Sequence, residues 1–193
     1  MDEMSRTDFL NLAGVVEGGL VLLALGFGWV VGVTPWDFMD WDLDAVGIGL
    51  LATLPMFLAF RLFREPRDIA VEVLGGVLSR CRWDDMILVA ALAGFGEELL
   101  FRGVLQPWIA AWSPITAFFV VNLLFGFVHF ASLTYFFIAT IVGMYLSWLT
   151  YGIGEPNLWR AIVAHGAYDA IAFYLIVREH QQKVQADQSK SDI

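Results

Sequence analysis

Charged side chains are scarce in this sequence, and basic ones are scarcer than acidic ones. Of the 193 residues only 16% are Asp, Glu, Lys or Arg, and eleven basic residues stand against twenty acidic ones. Soluble domains carry about 25% charged residues, so the composition disfavours a water-soluble fold. Outside one loop there is no cluster of Lys and Arg that could hold phosphate groups, which excludes nucleic acid as a partner.

Cysteine is equally scarce, since Cys81 is the only one in the chain. A lone cysteine excludes an internal disulfide, and no Cys or His near it could complete a metal site or a nucleophile pair. We therefore interpret Cys81 as incidental to function.

Apolar residues make up most of the chain, 59% by count. Six apolar runs are long enough for helices that cross a membrane, at residues 9–33, 46–63, 86–110, 114–131, 133–151 and 158–177. The runs are apolar on every side, which favours helices over the alternating strands of a barrel. The sequence therefore predicts an all-α fold, a polytopic membrane helix bundle of about six transmembrane helices.

We expect one transmembrane domain over residues 1–193, with a motif-bearing core at about 86–177 and a polar, mobile tail at 178–193. The first run follows an acidic N-terminus and lacks an A-x-A cleavage site, so it is predicted to be a retained span. The stretch 69–78 is compatible with a short interfacial helix or with a plain linker.

The basic residues predict the orientation of the bundle. If six spans alternate, nine of the eleven basic residues fall on one side of the membrane: Arg6, Arg61, Arg64, Arg67, Arg80, Arg82, Arg178, Lys183 and Lys190. The positive-inside rule places that side in the cytoplasm. We therefore predict a multi-pass protein of the cell membrane with both termini cytoplasmic.

Ionisable side chains within apolar runs are costly unless they pair or line a wet cavity, so each one is a candidate for function. We take as candidates six such side chains on three of the runs: Glu97, Glu98, Arg102, His129, His165 and Asp169. Because three separate helices each contribute such groups, we expect one convergent site.

Helical spacing gives these residues different surroundings. Glu98 and Arg102 are four apart, so they share a helix face and can neutralise each other. Glu97 points about 100° away and has no partner in its own helix, which suits a general base. His165 and Asp169 are also four apart and can present two ligands to a metal, face a substrate carbonyl, or bond to each other.

The depths of the candidates do not agree if the helices stand upright. Counted from the cytoplasmic ends of their runs, they range from about 8 Å for His129 to about 20 Å for His165. Tilted, shortened or broken helices are needed to bring them to one site.

Three motifs carry the candidates in order: E-E-x-x-x-R beginning at Glu97, F-x-x-x-H ending at His129, and H-x-x-x-D ending at Asp169. On three late apolar helices, they resemble the CAAX prenyl protease and bacteriocin-processing family (CPBP, also called Abi) of intramembrane endopeptidases. The resemblance covers roughly the C-terminal half of the chain. It implies that Glu97 is the general base, that His129 helps to hold the attacking water, and that Glu98 and Arg102 form a supporting ion pair.

The resemblance also implies that His165 and Asp169 face the scissile carbonyl and its developing oxyanion, or complete a metal site. An ionised Asp169 would repel an oxyanion, so it must be protonated, orient His165 or bind a metal. A catalytic Zn²⁺ would have enough ligands in Glu97, His129, His165 and Asp169. A metal-free site with a glutamate-activated water is nearly as well supported.

The partners expected are membrane lipids and a peptide or prenylated protein substrate. The sequence does not fix the oligomeric state, the identity of the substrate, or whether Asn122 and Gln106 line the site.

The leading hypothesis is an intramembrane endopeptidase, similar to a CAAX protease, that hydrolyses a membrane-associated or lipidated substrate with a Glu97-activated water. The alternative is a non-proteolytic ion- or proton-coupled carrier or a membrane scaffold that uses the same carboxylates. A carrier would often show repeated halves, which this sequence lacks. A serine protease is a weaker hypothesis, because Ser113, Ser132 and Ser147 have no attendant His at motif spacing.

Overall fold

The computed structural model describes residues 4–191, and this part of the chain is helical, without β-strand. The α-helices in chain order are α1 (Arg6–Val31), α2 (Leu43–Leu62), α3 (Arg64–Leu78), α4 (Trp83–Leu100), α5 (Gln106–Ala110), α6 (Pro114–Val128), α7 (Leu133–Tyr151) and α8 (Trp159–Ser191). A 3₁₀ helix, Pro35–Phe38, follows α1, and a π-helical turn, Phe101–Leu105, joins α4 to α5. The prediction of an all-α fold is confirmed.

Four of the described helices, α1, α2, α7 and α8, are long and apolar enough to cross a membrane. By contrast, the 18 residues of α4 include four carboxylates, and α6 is apolar but has only 15 residues. α4 carries the candidates Glu97 and Glu98, and α6 ends one residue before the candidate His129. A helical membrane protein is therefore supported, whereas the count of six spans and their orientation stay predictions.

The bundle is assembled around α8, which packs against α2, α3, α4 and α7, while α1 lies against α4 and α6 pairs with α7. Glycines allow the closest approaches. A Cβ on Gly94 of α4 would lie 2.7 Å from the backbone nitrogen of Gly166 on α8. Small residues are typical of such close contacts between membrane helices. This contact brings two motif-bearing helices face to face.

Contacts between the connections sort them to two ends of the bundle. At one end Arg6 pairs with Asp85 at 2.6 Å, and the hydroxyl of Thr134 donates to Glu65 at 2.6 Å. Hydrogen bonds from Ser132 and Thr134 lower the pKa of Glu65, so this link between α3 and the start of α7 favours the ionised carboxylate. At the other end the Asn157 side chain donates to the carbonyl of Asp40 at 2.8 Å. Each of these contacts joins connections that six alternating spans would place on the same side of the membrane, while the orientation itself stays a prediction.

Two further segments are helical. Residues 69–78 lie within α3, which decides for a helix over a linker at that position. The polar segment that begins at residue 178 continues α8 to Ser191, and Arg67 of α3 contacts Glu179 at 3.3 Å. The mobility predicted for this tail stays a prediction, and residues 192–193 lie outside the described residues.

Candidate active site

A fully buried ion pair lies at the centre of the candidate site. Glu98, in the last turn of α4, and Arg102, in the π-helical turn, are 2.9 Å apart between Oε1 and Nη1, and both side chains are 0% exposed. In this turn the N–H of Gln106 donates to the carbonyl of Phe101, five residues back. Single π-helical turns are frequent at functional sites. The ion pair predicted from the i, i+4 spacing is confirmed.

Arg102 also connects its helix to α6 and α7. Its Nη2 donates to Asn122 Oδ1 at 3.1 Å and to the carbonyl of Gly143 at 2.9 Å. Its Cζ lies 4.4 Å from the centre of the Phe125 ring, a favourable position for a cation. A Cβ on Gly143 would lie 3.0 Å from both Arg102 Nη2 and Asn122 Oδ1, so glycine makes room for the guanidinium.

His165, on α8, bonds to the same carboxylate as Arg102. Its Nδ1 lies 2.9 Å from Glu98 Oε1, and its Nε2 lies 3.5 Å from Asp169 Oδ2 one turn along α8. A carboxylate only accepts hydrogen bonds, so the proton between His165 and Glu98 belongs to Nδ1. The sequence predicts that His165 and Asp169 share a face, but it contains no sign of the contact with Glu98. We call Glu98, Arg102, Asn122 and His165 the buried network.

Asn122 and Gln106, whose place the sequence leaves open, support this network through Ser147. The Ser147 hydroxyl lies 2.8 Å from Gln106 Oε1 and 3.1 Å from Asn122 Oδ1. All three side chains are buried. Buried polar groups of this kind are stabilised by bonding to one another, which gives Asn122 and Gln106 a structural role.

Glu97 turns away from the buried network and meets His129. Its Oε2 lies 3.5 Å from His129 Nε2, and the side chains are 14% and 29% exposed. His129 directly follows the last residue of α6, and its Nδ1 lies 2.8 Å from the carbonyl of Phe125. A carbonyl only accepts, so Nδ1 carries the proton, and Nε2 of the neutral ring is an acceptor.

The two facing atoms of this pair are therefore both acceptors, and Glu97 Oε2 is buried without a hydrogen-bond partner among the described residues. Two acceptors at 3.5 Å cannot bond to each other directly. Either a proton lies between them or a water molecule donates to both.

A cavity of about 380 Å³ brings together the four candidates that lie outside the Glu98–Arg102 ion pair. Glu97, His129, His165 and Asp169 line it, whereas Glu98 and Arg102 do not. The differences in depth expected for upright helices therefore do not keep these four side chains apart. His129 lies just beyond the end of α6, so its side chain is not held on that helix. Apolar side chains from α1, α2, α3, α7 and α8 form most of the remaining wall.

One carboxylate of the cavity was missed from the sequence. Glu17 of α1 lines the same cavity as Glu97 and Asp169, and its Oε2 is buried without a hydrogen-bond partner in the described part of the chain. A single carboxylate in the middle of the first apolar run is the signal that could have identified it. It belongs to no motif, and motif order guided the selection of the other residues.

The four donors considered as metal ligands do not form one ligand set. They fall into two pairs, Glu97 with His129 and His165 with Asp169. Among residues 4–191 there is no group of three or more His, Cys, Asp or Glu side chains that could hold a metal ion. Catalytic zinc sites use three protein ligands, so the arrangement does not fit a resident zinc ion.

The side chains considered as alternative nucleophiles have other roles. Ser113 and Ser132 cap α6 and α7 by accepting from the N–H groups of Thr116 and Tyr135. Burial raises the pKa of the Cys81 thiol, which disfavours the reactive thiolate. The cavity, as the described residues form it, is lined by neither serine nor by Cys81.

Comparison with known proteins bears on the segment that carries the motifs. Residues 81–171 match the family described as "Rce1-like: Type II CAAX prenyl endopeptidase Rce1-like". These residues are just under half of the chain, and we call them the Rce1-like domain after this similarity. This domain includes all three motifs, from Glu97 to Asp169, and is consistent with the CPBP family that the motifs resemble. No solved structure matches the chain significantly.

A curated relative is "Uncharacterized protein YpbD" of Bacillus subtilis (strain 168), which is 31% identical over 106 residues. The alignment covers 53% of this chain and 51% of that protein, so the chain spans about half the length of the curated relative it matches. Glu17 lies outside the Rce1-like domain. The cavity is thus completed by α1, α2 and α3, which the family match does not include.

Proposed function

We propose that the protein is an intramembrane endopeptidase in which Glu97 activates a water molecule to hydrolyse a peptide bond. The observation that carries this proposal is the pair of acceptors, Glu97 Oε2 and His129 Nε2, at 3.5 Å in a cavity between apolar helices. A water molecule that donates one hydrogen to each acceptor has its lone pairs free for attack on a carbonyl carbon.

The proposed reaction is a general-base hydrolysis. The water oxygen bonds to the scissile carbonyl carbon while Glu97 takes one of its protons, giving a tetrahedral intermediate with a negative oxygen. Glu97 then returns the proton to the amide nitrogen as the C–N bond breaks, which releases an amine and a carboxylic acid. His129 holds the water through Nε2, and its bond to the Phe125 carbonyl fixes the orientation of the ring.

We assign the oxyanion to His165 and Asp169. With a proton on Nε2 as well as on Nδ1, His165 is a cation flanked by Glu98 and Asp169, and the Nε2–H can donate to the developing oxyanion. Asp169 would contribute in its protonated form or by orienting His165. The buried network has a positioning role, since it holds His165 and the helix that carries Glu97.

The substrate class that fits best is a membrane-associated or lipidated peptide, as in the family's description as CAAX prenyl endopeptidases. The largely apolar wall of the cavity suits a lipid-modified or hydrophobic segment. The proposed location is the cell membrane, with both termini in the cytoplasm.

The test is cleavage of a fluorescent prenylated peptide that ends in a C-a-a-X tail, by purified protein in detergent or nanodiscs. We expect hydrolysis by the wild type and none above background by Glu97→Gln. Glu72→Gln removes an exposed carboxylate that does not line the cavity and serves as the matched control. Full cleavage by Glu97→Gln would refute the mechanism, and no cleavage by the wild type would refute the prenylated substrate class.

Two further measurements address the alternatives. Stoichiometric zinc in the active enzyme, lost in His165→Ala, would make a metal-dependent site the better account. Proton or ion flux in proteoliposomes that needs Glu97 and occurs without peptide hydrolysis would favour the carrier.

A further inference from the structure

Glu17 lies against the segment of α4 that carries the catalytic candidate. A Cβ on Gly96 would lie 3.0 Å from the carbonyl oxygen of Glu17 and 3.3 Å from its Oε2. The Glu17 carboxyl group therefore lies over the backbone directly before Glu97. Glycine at position 96 makes room for this approach, because even a Cβ there would be in tight contact with both Glu17 oxygens.

The position of Glu17 is costly for stability. Its charge interacts with those of Glu97 and Asp169, which are of the same sign, and with His165. An ionised carboxylate within a membrane helix already carries a penalty of several kcal/mol unless it is compensated. No cation pairs with Glu17 among the described residues, and its Oε2 is left without a hydrogen bond. A leucine at this site would be more favourable for folding, so folding alone does not explain the glutamate.

The other acceptors of the cavity are already engaged in the proposed reaction. Glu97 and His129 hold the water, and Asp169 faces His165 at 3.5 Å. Glu17 Oε2 is a buried carboxylate oxygen of the cavity that has no hydrogen-bond partner among the described residues and no role in the proposed reaction.

A peptide that is cleaved within the membrane must open its backbone at the scissile bond. Its N–H groups then lose their internal partners, and without water each unsatisfied group costs several kcal/mol. An ionised carboxylate only accepts hydrogen bonds and can satisfy such a group. The mainly apolar wall of the cavity disfavours a charged substrate side chain as the donor.

We propose that Glu17 is a substrate-binding residue whose carboxylate accepts a hydrogen bond from a backbone N–H of the unwound peptide next to the scissile bond. This inference rests on the proposed peptidase function and extends the active site to α1, outside the Rce1-like domain.

The test is binding of the fluorescent prenylated peptide in the Glu97→Gln background, where no turnover is expected. Glu17→Leu should weaken binding about tenfold to hundredfold, as for the loss of a hydrogen bond to a charged group. Glu17→Gln keeps an acceptor oxygen and should weaken binding by only a few fold. Glu72→Gln should leave the Kd unchanged, and thermal unfolding in detergent identifies any variant that fails to fold.

Binding by Glu17→Leu within twofold of its parent would overturn the inference. Equal losses in Glu17→Leu and Glu17→Gln would overturn the backbone donor, since a basic side chain would require the charge. In the active chain, Glu17→Leu should raise KM with kcat unchanged, and a fall in kcat at constant KM would contradict a binding role. Cleavage by Glu97→Gln would refute the mechanism, and the comparison of KM between the wild type and Glu17→Leu would then still test the binding role, so the two failures can be told apart.

Discussion

Glu97 and Glu98 are neighbours in the chain, yet they lie in opposite environments. Glu98 is 0% exposed and shares one oxygen between Arg102 and His165. Glu97 is 14% exposed, lines the cavity and has its Oε2 3.5 Å from Nε2 of His129. A turn of about 100° between consecutive helical residues is enough to separate a structural anchor from a reactive group.

A motif of two adjacent acids thus places its carboxylates in two different environments, one in the buried ion pair and one in the cavity. The buried carboxylate compensates the charge of Arg102 and links α4 to α8, so its loss should lower the stability of the fold. The carboxylate of Glu97, in the cavity, has no close ion-pair partner, so its loss should lower the catalytic rate rather than the stability.

The largest effect is expected for Glu97→Gln. General-base catalysis contributes about 10²- to 10⁴-fold to rate, so kcat for the prenylated peptide should fall by about that factor. The melting temperature in detergent should not fall, because glutamine keeps the shape and removes an unpaired charge. A variant that loses stability together with activity would show that Glu97, like Glu98, is a structural residue.

Replacing Arg102 with methionine should produce the largest loss of stability. Breaking a buried ion pair from one side costs about 3–5 kcal/mol, because the remaining charge is left unpaired. We expect the free energy of unfolding to fall by about this amount, measured by denaturant titration in detergent. Lys183→Met is the control, since Lys183 is 50% exposed and pairs with Asp68 at the surface, and it should change stability far less.

Combining Arg102→Met with Glu98→Gln should destabilise less than the sum of the two single changes, because no unpaired charge then remains. Additive losses would contradict direct pairing as the source of the stability.

The sequence predicted the helices and the ion pair because both follow from local periodicity. Apolar runs define membrane helices, and a spacing of four places Glu98 beside Arg102. The contact between His165 and Glu98 depends on how α8 packs on α4, through Gly94 and Gly166. Such contacts between distant segments leave no periodic signal in one sequence.

Glu17 was missed for a different physical reason. Its run is otherwise apolar and carries none of the three motifs, so no neighbouring residue marks the carboxylate as part of a site. The same cost argument that selected Glu97 and Asp169 applies to it equally. Consistent use of that argument would have found the residue, although not its position beside Gly96.

Asn122→Ala should cause a smaller loss of stability than Arg102→Met. The substitution leaves one Arg102 donor and the Ser147 hydroxyl without an acceptor at this position, and an unsatisfied buried group costs about 1–3 kcal/mol. Leu123→Ala, which truncates an exposed side chain on the same helix, is the control. Activity should fall only in proportion to the loss of folded protein. A loss of kcat at unchanged stability would show that Asn122 takes part in the reaction instead of only supporting the fold.

The smallest effect is expected for Asp169→Asn, which tests His165 as the link between the buried network and the cavity. His165 donates to Glu98 of the buried network through Nδ1 and faces Asp169 in the cavity through Nε2. Asparagine keeps the shape of the side chain and can donate to an oxyanion directly. A neutral hydrogen bond contributes about 0.5–1.5 kcal/mol, so kcat should stay within about tenfold of the wild type. Asp169→Leu, which can neither donate nor accept, should lose more. If Asp169→Asn loses as much activity as Glu97→Gln, the negative charge at position 169 is itself required, and His165 acts as a cation that needs a carboxylate on both of its nitrogens.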